Sequence, residues 1–294
     1  MHKYWSKIIL LLFCLLPLAN ATAQEKRYVK VRKPTAEAQY AERFLVDAVT
    51  LFVSKLHDKD KFYKVTQVDI ADKQLMNFES YLERGFFDVN YFGTSERLEK
   101  SFLPIRIPLF AGLLGHRVLI VKEQNLKQFS YASVAQLKSM PLCQGSIWAD
   151  SDILEHNGFS VLRVSHYEFI LKMLDAGRCV YFPRGIFEGE FELKLLKERY
   201  ADFRLVDDVI IYYPFPAYLF VRKDDQELAD ALRLGFERAI ADGSYRTLLE
   251  THPLTQKIFP LEQWKTKKFI YLENPSLPEQ TPLQKPEYWL KLNP

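Results

Sequence analysis

The sequence predicts an α/β protein of two lobes, each a mainly parallel sheet flanked by helices, with two hinge crossings of the chain between them. Three observations carry this. Strand and helix patterns alternate over residues 28–89, and the alternation restarts over residues 117–210. A strand pattern and a long amphipathic helix pattern, residues 217–241, are left over after the second series. Alternating strands and helices build parallel sheets covered on their faces, and the leftover pair is what an inserted second lobe requires.

The elements follow in order. Residues 28–33 alternate apolar and polar side chains and read as a strand. Phe44, Leu45, Ala48, Val49, Leu51 and Phe52 recur at helical spacing. Residues 62–68 form a second strand pattern, residues 75–82 a short helix and residues 85–89 a third strand. In the second series residues 117–121 are a strong strand and residues 134–137 a short helix. Residues 141–143 lead into a strand-to-helix turn at Gly145 and Ser146, and the helix through residues 153–156 is closed by Gly158. Strand, helix and strand follow at residues 160–164, 168–175 and 178–182, then a helix at residues 191–200. The last helix, residues 227–241, stops at Asp242 and Gly243, and Tyr245, Leu248 and Leu249 fit a final turn or two.

This order assigns residues 24–112 and 216–252 to the first lobe and residues 113–215 to an inserted second lobe. The hinge crossings fall at residues 111–116 and 212–216. Residues 253–294 are rich in proline and aromatic residues, among them Phe259, Trp264, Phe269, Tyr271, Tyr288 and Trp289. A disordered tail has no use for so many aromatics, so this segment is expected as an extended strap over the first lobe.

Residues 1–23 read as an export signal. His2, Lys3 and Lys7 precede an apolar run at residues 8–18, and Ala21 and Ala23 offer small residues for cleavage after Ala23. The run is shorter than the ~20 residues that span a bilayer, so the expected location is the periplasm. Removing Cys14 leaves Cys143 and Cys179. Export permits their pairing, but two buried thiols are the expectation. Lys and Arg total 40 against 37 for Asp and Glu, interspersed without a basic face, so nucleic acid is not an expected partner. The six histidines are scattered, with no zinc spacing, and no nucleophile elbow or phosphate-loop motif occurs. No cofactor and no metal are expected.

Five segments in order resemble extracytoplasmic solute-binding proteins of the polar amino-acid type, which have the type II periplasmic binding fold. They are Gly85-Phe86-Phe87-Asp88-Val89 followed by Thr94 and Arg97, then Gln144-Gly145-Ser146, Leu174-Asp175-Ala176-Gly177-Arg178, the stretch from Arg222 to Leu228, and Asp242-Gly243-Ser244-Tyr245. The resemblance covers residues 85–250 well and residues 25–84 weakly. It implies a monomeric receptor for a small molecule in the inter-lobe cleft, serving an inner-membrane permease or a sensor protein. It also departs from that family. Where amino-acid binders carry an Asp for the ligand's ammonium group, this chain has Pro183-Arg184-Gly185, which points to an anionic ligand.

By the same resemblance Arg97 grips a ligand carboxylate, with Thr94 as a hydroxyl donor beside it and Tyr91 and Phe92 flanking the ligand's body. A guanidinium suits that task because it makes two parallel hydrogen bonds to a carboxylate. The alternative for Arg97 is a surface arginine. Gly145 and Ser146 offer backbone N–H groups at a helix start, where an anion is favoured, or form an ordinary cap. Trp148 packs on the ligand or in the core, and Asp150 is read as a cap. Arg184 faces the cleft, or else pairs with Glu188 or Glu190. The alternative function is an exported dehydratase-like enzyme acting on a cyclic acid through Glu188 or Glu190.

Overall fold

The computed structural model describes residues 25–35, 39–56, 61–69 and 78–292. The export segment expected at residues 1–23 lies outside them, as do residues 75–77 of the predicted short helix. In the first lobe β1 (Glu25–Arg32) and β2 (Lys61–Val68) pair in parallel across α1 (Gln39–Ser54). The α1 face carrying Phe44, Leu45, Ala48, Val49 and Phe52 is fully buried, as its spacing predicts. After α2 (Phe78–Glu83) comes β3 (Val89–Gly93), which begins where the predicted strand over residues 85–89 was to end. The reason is local. Gly85, at φ +71°, closes α2, with Gly85 N–H on the Leu82 carbonyl and Phe86 N–H on that of Tyr81.

Next come α3 (Glu96–Ser101) and β4 (Phe102–Ile105). β10 (Ala217–Arg222) returns from the second lobe and runs antiparallel between β3 and β4. Asp88 ties β1 to this group: its N–H donates to the Lys30 carbonyl and its carboxylate accepts from Lys30 N–H, both at 2.8 Å. α9 (Gln226–Ala241) and α10 (Ser244–Thr251) close the lobe, with Phe236 of α9 stacked on Phe52 of α1 at 3.9 Å between centroids.

The second lobe is one six-stranded sheet in the order β11-β9-β5-β8-β6-β7. Its strands are β5 (His116–Lys122), β6 (Leu142–Gly145), β7 (Val161–Val164), β8 (Tyr181–Gly185), β9 (Phe203–Tyr212) and β11 (Lys268–Tyr271). β6 is parallel to β7 and β8. β5, which enters the lobe, is antiparallel to both β8 and β9. The helices are α4 (Leu126–Tyr131), α5 (Val134–Ser139), α6 (Ala149–His156), α7 (Tyr167–Asp175) and α8 (Ile186–Leu196).

Strand alternation divides the core by sheet face. Leu119, Val121, Leu142 and Tyr181 lie on one side, Ile120, Cys143 and Phe182 on the other. Two expectations are corrected here. Cys143 and Cys179 form a disulfide rather than two thiols, because β6 and β8 are neighbours and bring the Cα atoms to 5.6 Å. α8 starts five residues before the predicted helix over residues 191–200, because the Glu188 carboxylate accepts the Gly185 N–H at 2.8 Å and caps it there.

The two crossings touch. Ala111 (φ +47°) and Gly112 (φ +78°) turn the chain into a 3-10 turn at Leu113–Gly115 before β5. The Tyr213 N–H donates to the Gly115 carbonyl at 3.2 Å. A Cβ on Gly115 would stand 2.1 Å from the Tyr213 carbonyl oxygen, so only glycine lets the crossings meet. The C-terminal segment reaches beyond the first lobe. β11 extends the second lobe's sheet in parallel with β9, while Trp264, Tyr288 and Leu292 join the first lobe's core. Among the described residues no helix is long and apolar enough to cross a membrane.

Two outcomes are expected. Gly115→Ala forces backbone against backbone and destabilises the fold by about 1–3 kcal/mol, as overpacking does; an unchanged urea midpoint contradicts the tight crossing. The second concerns His116, whose ring is buried beside Tyr212 at 4.5 Å with Nδ1 3.3 Å from the Gly112 carbonyl. Burial holds its pKa down, to about 4, with Arg117 acting in the same direction against backbone hydrogen bonds that raise it. The unfolded chain takes up that proton near 6.5 and the folded chain does not. Stability is therefore full above pH 6.5 and falls towards pH 4, by roughly 3 kcal/mol from this group. Urea titrations at pH 7 and pH 5 should show a smaller loss for His116→Gln than for the unaltered chain.

Candidate functional site

At the lobe boundary the strand ends carry a buried seam of charge. Arg117, at the start of β5, is 2% exposed. Its Nη2 pairs with Asp150 in the first turn of α6, and its Nη1 lies 3.7 Å from Glu188 of α8. The Tyr213 hydroxyl, on the second crossing, donates to the same Asp150 carboxylate. Arg184, near the end of β8, grips Glu192 at 2.5–3.0 Å and approaches Glu188 at 3.3 Å. On the first lobe Arg32 closes β1 and pairs with Glu42 of α1 at 2.5 Å. Tyr91 of β3 stands between the two halves, close enough to feel Arg32 and Glu42 on one side and Glu188 and Arg184 on the other.

Burial dominates the electrostatics. It pushes the Tyr91 hydroxyl up to about 12. It raises the Glu192 carboxyl above the usual carboxylate range, with Arg184 pulling against it. Burial also opposes the charge on Arg184, but Glu188 and Glu192 outweigh that and leave its pKa raised. The Arg117 guanidinium is likewise held above its ordinary range, burial opposing and Asp150 supporting its charge, whereas burial lowers the pKa of Arg32 against the pull of Glu42. Four buried donors in the seam's elements have no hydrogen-bond partner among the described residues: Arg32 Nε, Arg117 Nε, Arg117 Nη2 and Gln144 Nε2, and of these Arg117 Nη2 is ion-paired with Asp150. Buried polar groups are normally paired, and Gln144, at the end of β6, is fully buried.

Apolar contacts join the lobes around the seam. Phe110, before the first crossing, lies 4.6 Å from Phe187 of α8, and Tyr40 of α1 lies 4.4 Å from Phe191. To one side a groove of about 930 Å³ runs between α8, β9 and residues 253–264, with Tyr200, Leu254 and Trp264 among its walls. It does not include Arg117, Arg184 or Gln144. The buried charges and donors, rather than this groove, mark the chemistry, because recognition needs polar groups as well as space.

The predicted residues divide. Tyr91 and Arg184 reach the seam, and Trp148 covers its edge, with Arg184 5.2 Å from its ring centre and Phe182 stacked at 6.3 Å. Arg97 does not join it. Its side chain is 67% exposed and makes a bidentate pair with Glu79 of α2, at 2.6 and 2.8 Å. Thr94 is buried but donates to Glu99 at 2.7 Å, and Glu99 in turn holds Arg106. Phe92 points to the other face of β3, against Phe220 at 5.9 Å.

At the Gly145–Ser146 turn the backbone donors are already engaged. Ser146 N–H bonds the Val164 carbonyl and Trp148 N–H that of Gly145, and the indole of Trp148 lies on Gly145, where a Cβ would meet it at 2.3 Å. Glu190 pairs with Lys257 outside the seam. Asp150, read as a cap, is instead the counter-ion of Arg117. Sequence reasoning missed Arg117 itself. Its signal was a lone charge opening the apolar strand at residues 117–121. Among the described residues no cluster of His, Cys, Asp and Glu is arranged to hold a metal.

No protein-family model matches the sequence, and no curated protein matches it. Solved structures do. A probable amino-acid ABC transporter extracellular-binding protein from Bacillus subtilis aligns over 79% of this chain and 100% of its own, with a TM-score of 0.54 at 15% identity. An ancestral arginine-binding protein bound to arginine aligns over 77% and 98%, with 0.51 at 16%. A periplasmic His/Glu/Gln/Arg/opine family-binding protein from Silicibacter pomeroyi, in complex with lysine, aligns over 76% and 96%, with 0.52 at 12%. Likeness at these identities establishes the fold, the two-lobed type II periplasmic binding fold that the motifs predict.

The two ion pairs make opposite predictions. Asp150→Ala leaves a guanidinium buried without its main partner and should cost about 3–5 kcal/mol. Glu79→Ala breaks only the exposed pair with Arg97 and should cost under ~1 kcal/mol. Equal effects in chemical denaturation contradict this ranking.

Proposed function

We propose that this chain is an exported solute receptor that holds a small ligand of the amino-acid kind between its lobes and presents the closed form to a membrane permease or sensor. The observation that carries the reading is the seam. Three guanidiniums, of Arg32, Arg117 and Arg184, face four carboxylates, of Glu42, Asp150, Glu188 and Glu192. Arg32 and Arg117 of the seam, and Gln144 of β6, carry buried donors without hydrogen bonds. A ligand with its own carboxylate accepts from those donors, and its ammonium group finds carboxylates within the same cluster. The fold supports this, since the structures it aligns with include receptors for arginine and lysine.

The seam also revises the ligand's expected charge. A purely anionic ligand rested on Arg184 being free, but Glu188 and Glu192 already balance it. A zwitterion disturbs that balance least. The dehydratase-like alternative has less support, because Glu188 is held by Arg184 and by the Gly185 amide, and Glu190 by Lys257. Closure draws its free energy from contacts made better in the closed state. Those available here are the charged seam and the Phe110–Phe187 and Tyr40–Phe191 pairs.

The test is a thermal-shift screen of the mature chain across amino acids, organic acids and phosphates, followed by calorimetry. Zwitterionic amino acids should stabilise it most. Arg117→Lys keeps the charge but loses the planar fork, and should weaken binding about tenfold or more. A flat screen, or an affinity indifferent to both Arg117→Lys and Gln144→Ala, removes the reading.

A further inference from the structure

We infer that the C-terminal strap, residues 268–292, is a built-in brake on the rotation of the lobes. A hinge between two lobes works by backbone rotation at the few residues of its crossings. In this chain both crossings are bound, on successive stretches, by one segment that also enters both cores.

The course of the strap shows the attachment points. β11 pairs with β9 and buries Ile270, and Leu272 N–H continues the ladder to the Tyr212 carbonyl at 2.8 Å. Glu273 exchanges two hydrogen bonds with Asn157, at the end of α6, at 2.8 and 3.2 Å. This first part of the strap thus belongs to the second lobe. Asn274 then donates from Nδ2 to the Pro214 carbonyl at 2.9 Å, on the second crossing. At its far end Leu290 N–H donates to the Ala111 carbonyl at 2.8 Å, on the first crossing. The Trp289 ring lies flat enough on Gly112 that a Cβ there would meet it at 2.4 Å. The indole is itself held, its N–H on the Pro282 carbonyl at 2.9 Å. Tyr288 and Leu292 bury into the first lobe's core.

Ala111 and Gly112 are the two consecutive residues with positive φ, where the chain reverses between the lobes. Rotation there must move the Ala111 carbonyl and the Gly112 surface. The Leu290 N–H and the Trp289 ring are fitted to one setting of both. At the other crossing Pro214 is held by Asn274, which moves with the second lobe. Opening therefore breaks a hydrogen bond at each crossing and unseats an aromatic ring. The strap adds a fixed cost to opening that no ligand supplies, and it biases the free chain towards the closed form.

This inference deepens the receptor reading by naming what limits its motion, and its test needs no ligand, so failure of the brake is separable from failure to bind. Spin labels on cysteines introduced at Lys100 in the first lobe and Glu168 in the second report the inter-lobe distance by pulsed electron resonance. The otherwise unaltered chain should give one narrow distribution. Asn274→Ala and Trp289→Ala should each broaden it towards longer distances, and the double variant should add a distinct open population. Trp289→Phe should largely restore the narrow peak. An unchanged distribution in folded Asn274→Ala, which removes two hydrogen bonds, to the Pro214 carbonyl and from the Ser276 N–H, and no core side chain, overturns the brake. So does an unchanged distribution in the double variant with native circular dichroism.

Discussion

A guanidinium shut away from water dictates much of this architecture. Arg117 stands two residues beyond the 3-10 turn of the first crossing, and its charge tolerates burial only with partners at fixed places. Those partners come from three separate stretches: Asp150 from the start of α6, Glu188 from the start of α8 and Tyr213 from the second crossing. Each requires its element to sit within a few ångströms of β5. The cation thus acts as a register mark for the second lobe and for the return of the chain, much as a buried polar residue fixes register elsewhere. The rings of Tyr213 and Phe215 lie 5.4 and 5.6 Å from it and complete a polarisable surround.

Much of the fold was legible because periodicity reports burial. The predicted face of α1 is the buried one, and Leu228, Leu232, Phe236 and Ala239 of α9 are buried at helical spacing. What escaped did so for local reasons. β9 carries Asp207 and Asp208 in mid-strand, which hides its alternation, and its pairing with β5 is irregular between Arg117 and Leu119. α8 was placed late because its start depends on Glu188 reaching back to Gly185, an interaction invisible to apolar spacing. The disulfide depended on β6 and β8 being neighbours, which is a fact of topology rather than of sequence distance.

The residues of the seam were harder to read for a different reason. A motif gives a residue's place along the chain but not its partner. Arg97 sits where the motif puts it, on α3, and Glu79 from the separate helix α2 takes its guanidinium. The amides of the Gly145–Ser146 turn are engaged by the strand and by the turn's own carbonyl. By contrast, the residues that meet in the seam look ordinary in sequence: an arginine opening a strand, an aspartate in one helix's first turn, a glutamate in another's. Their significance lies in burial combined with incomplete pairing, which only three dimensions reveal.

The Cys143–Cys179 linkage bears on how the second lobe's edge can change over generations. It fastens the backbone immediately before Gln144 to the approach of Pro183 and Arg184. Two strand ends at the second lobe's edge are therefore welded into one plate, and neither can slide past the other. New selectivity in this lineage would have to come from exchanging the side chains mounted on that plate, while the plate itself stays as it is.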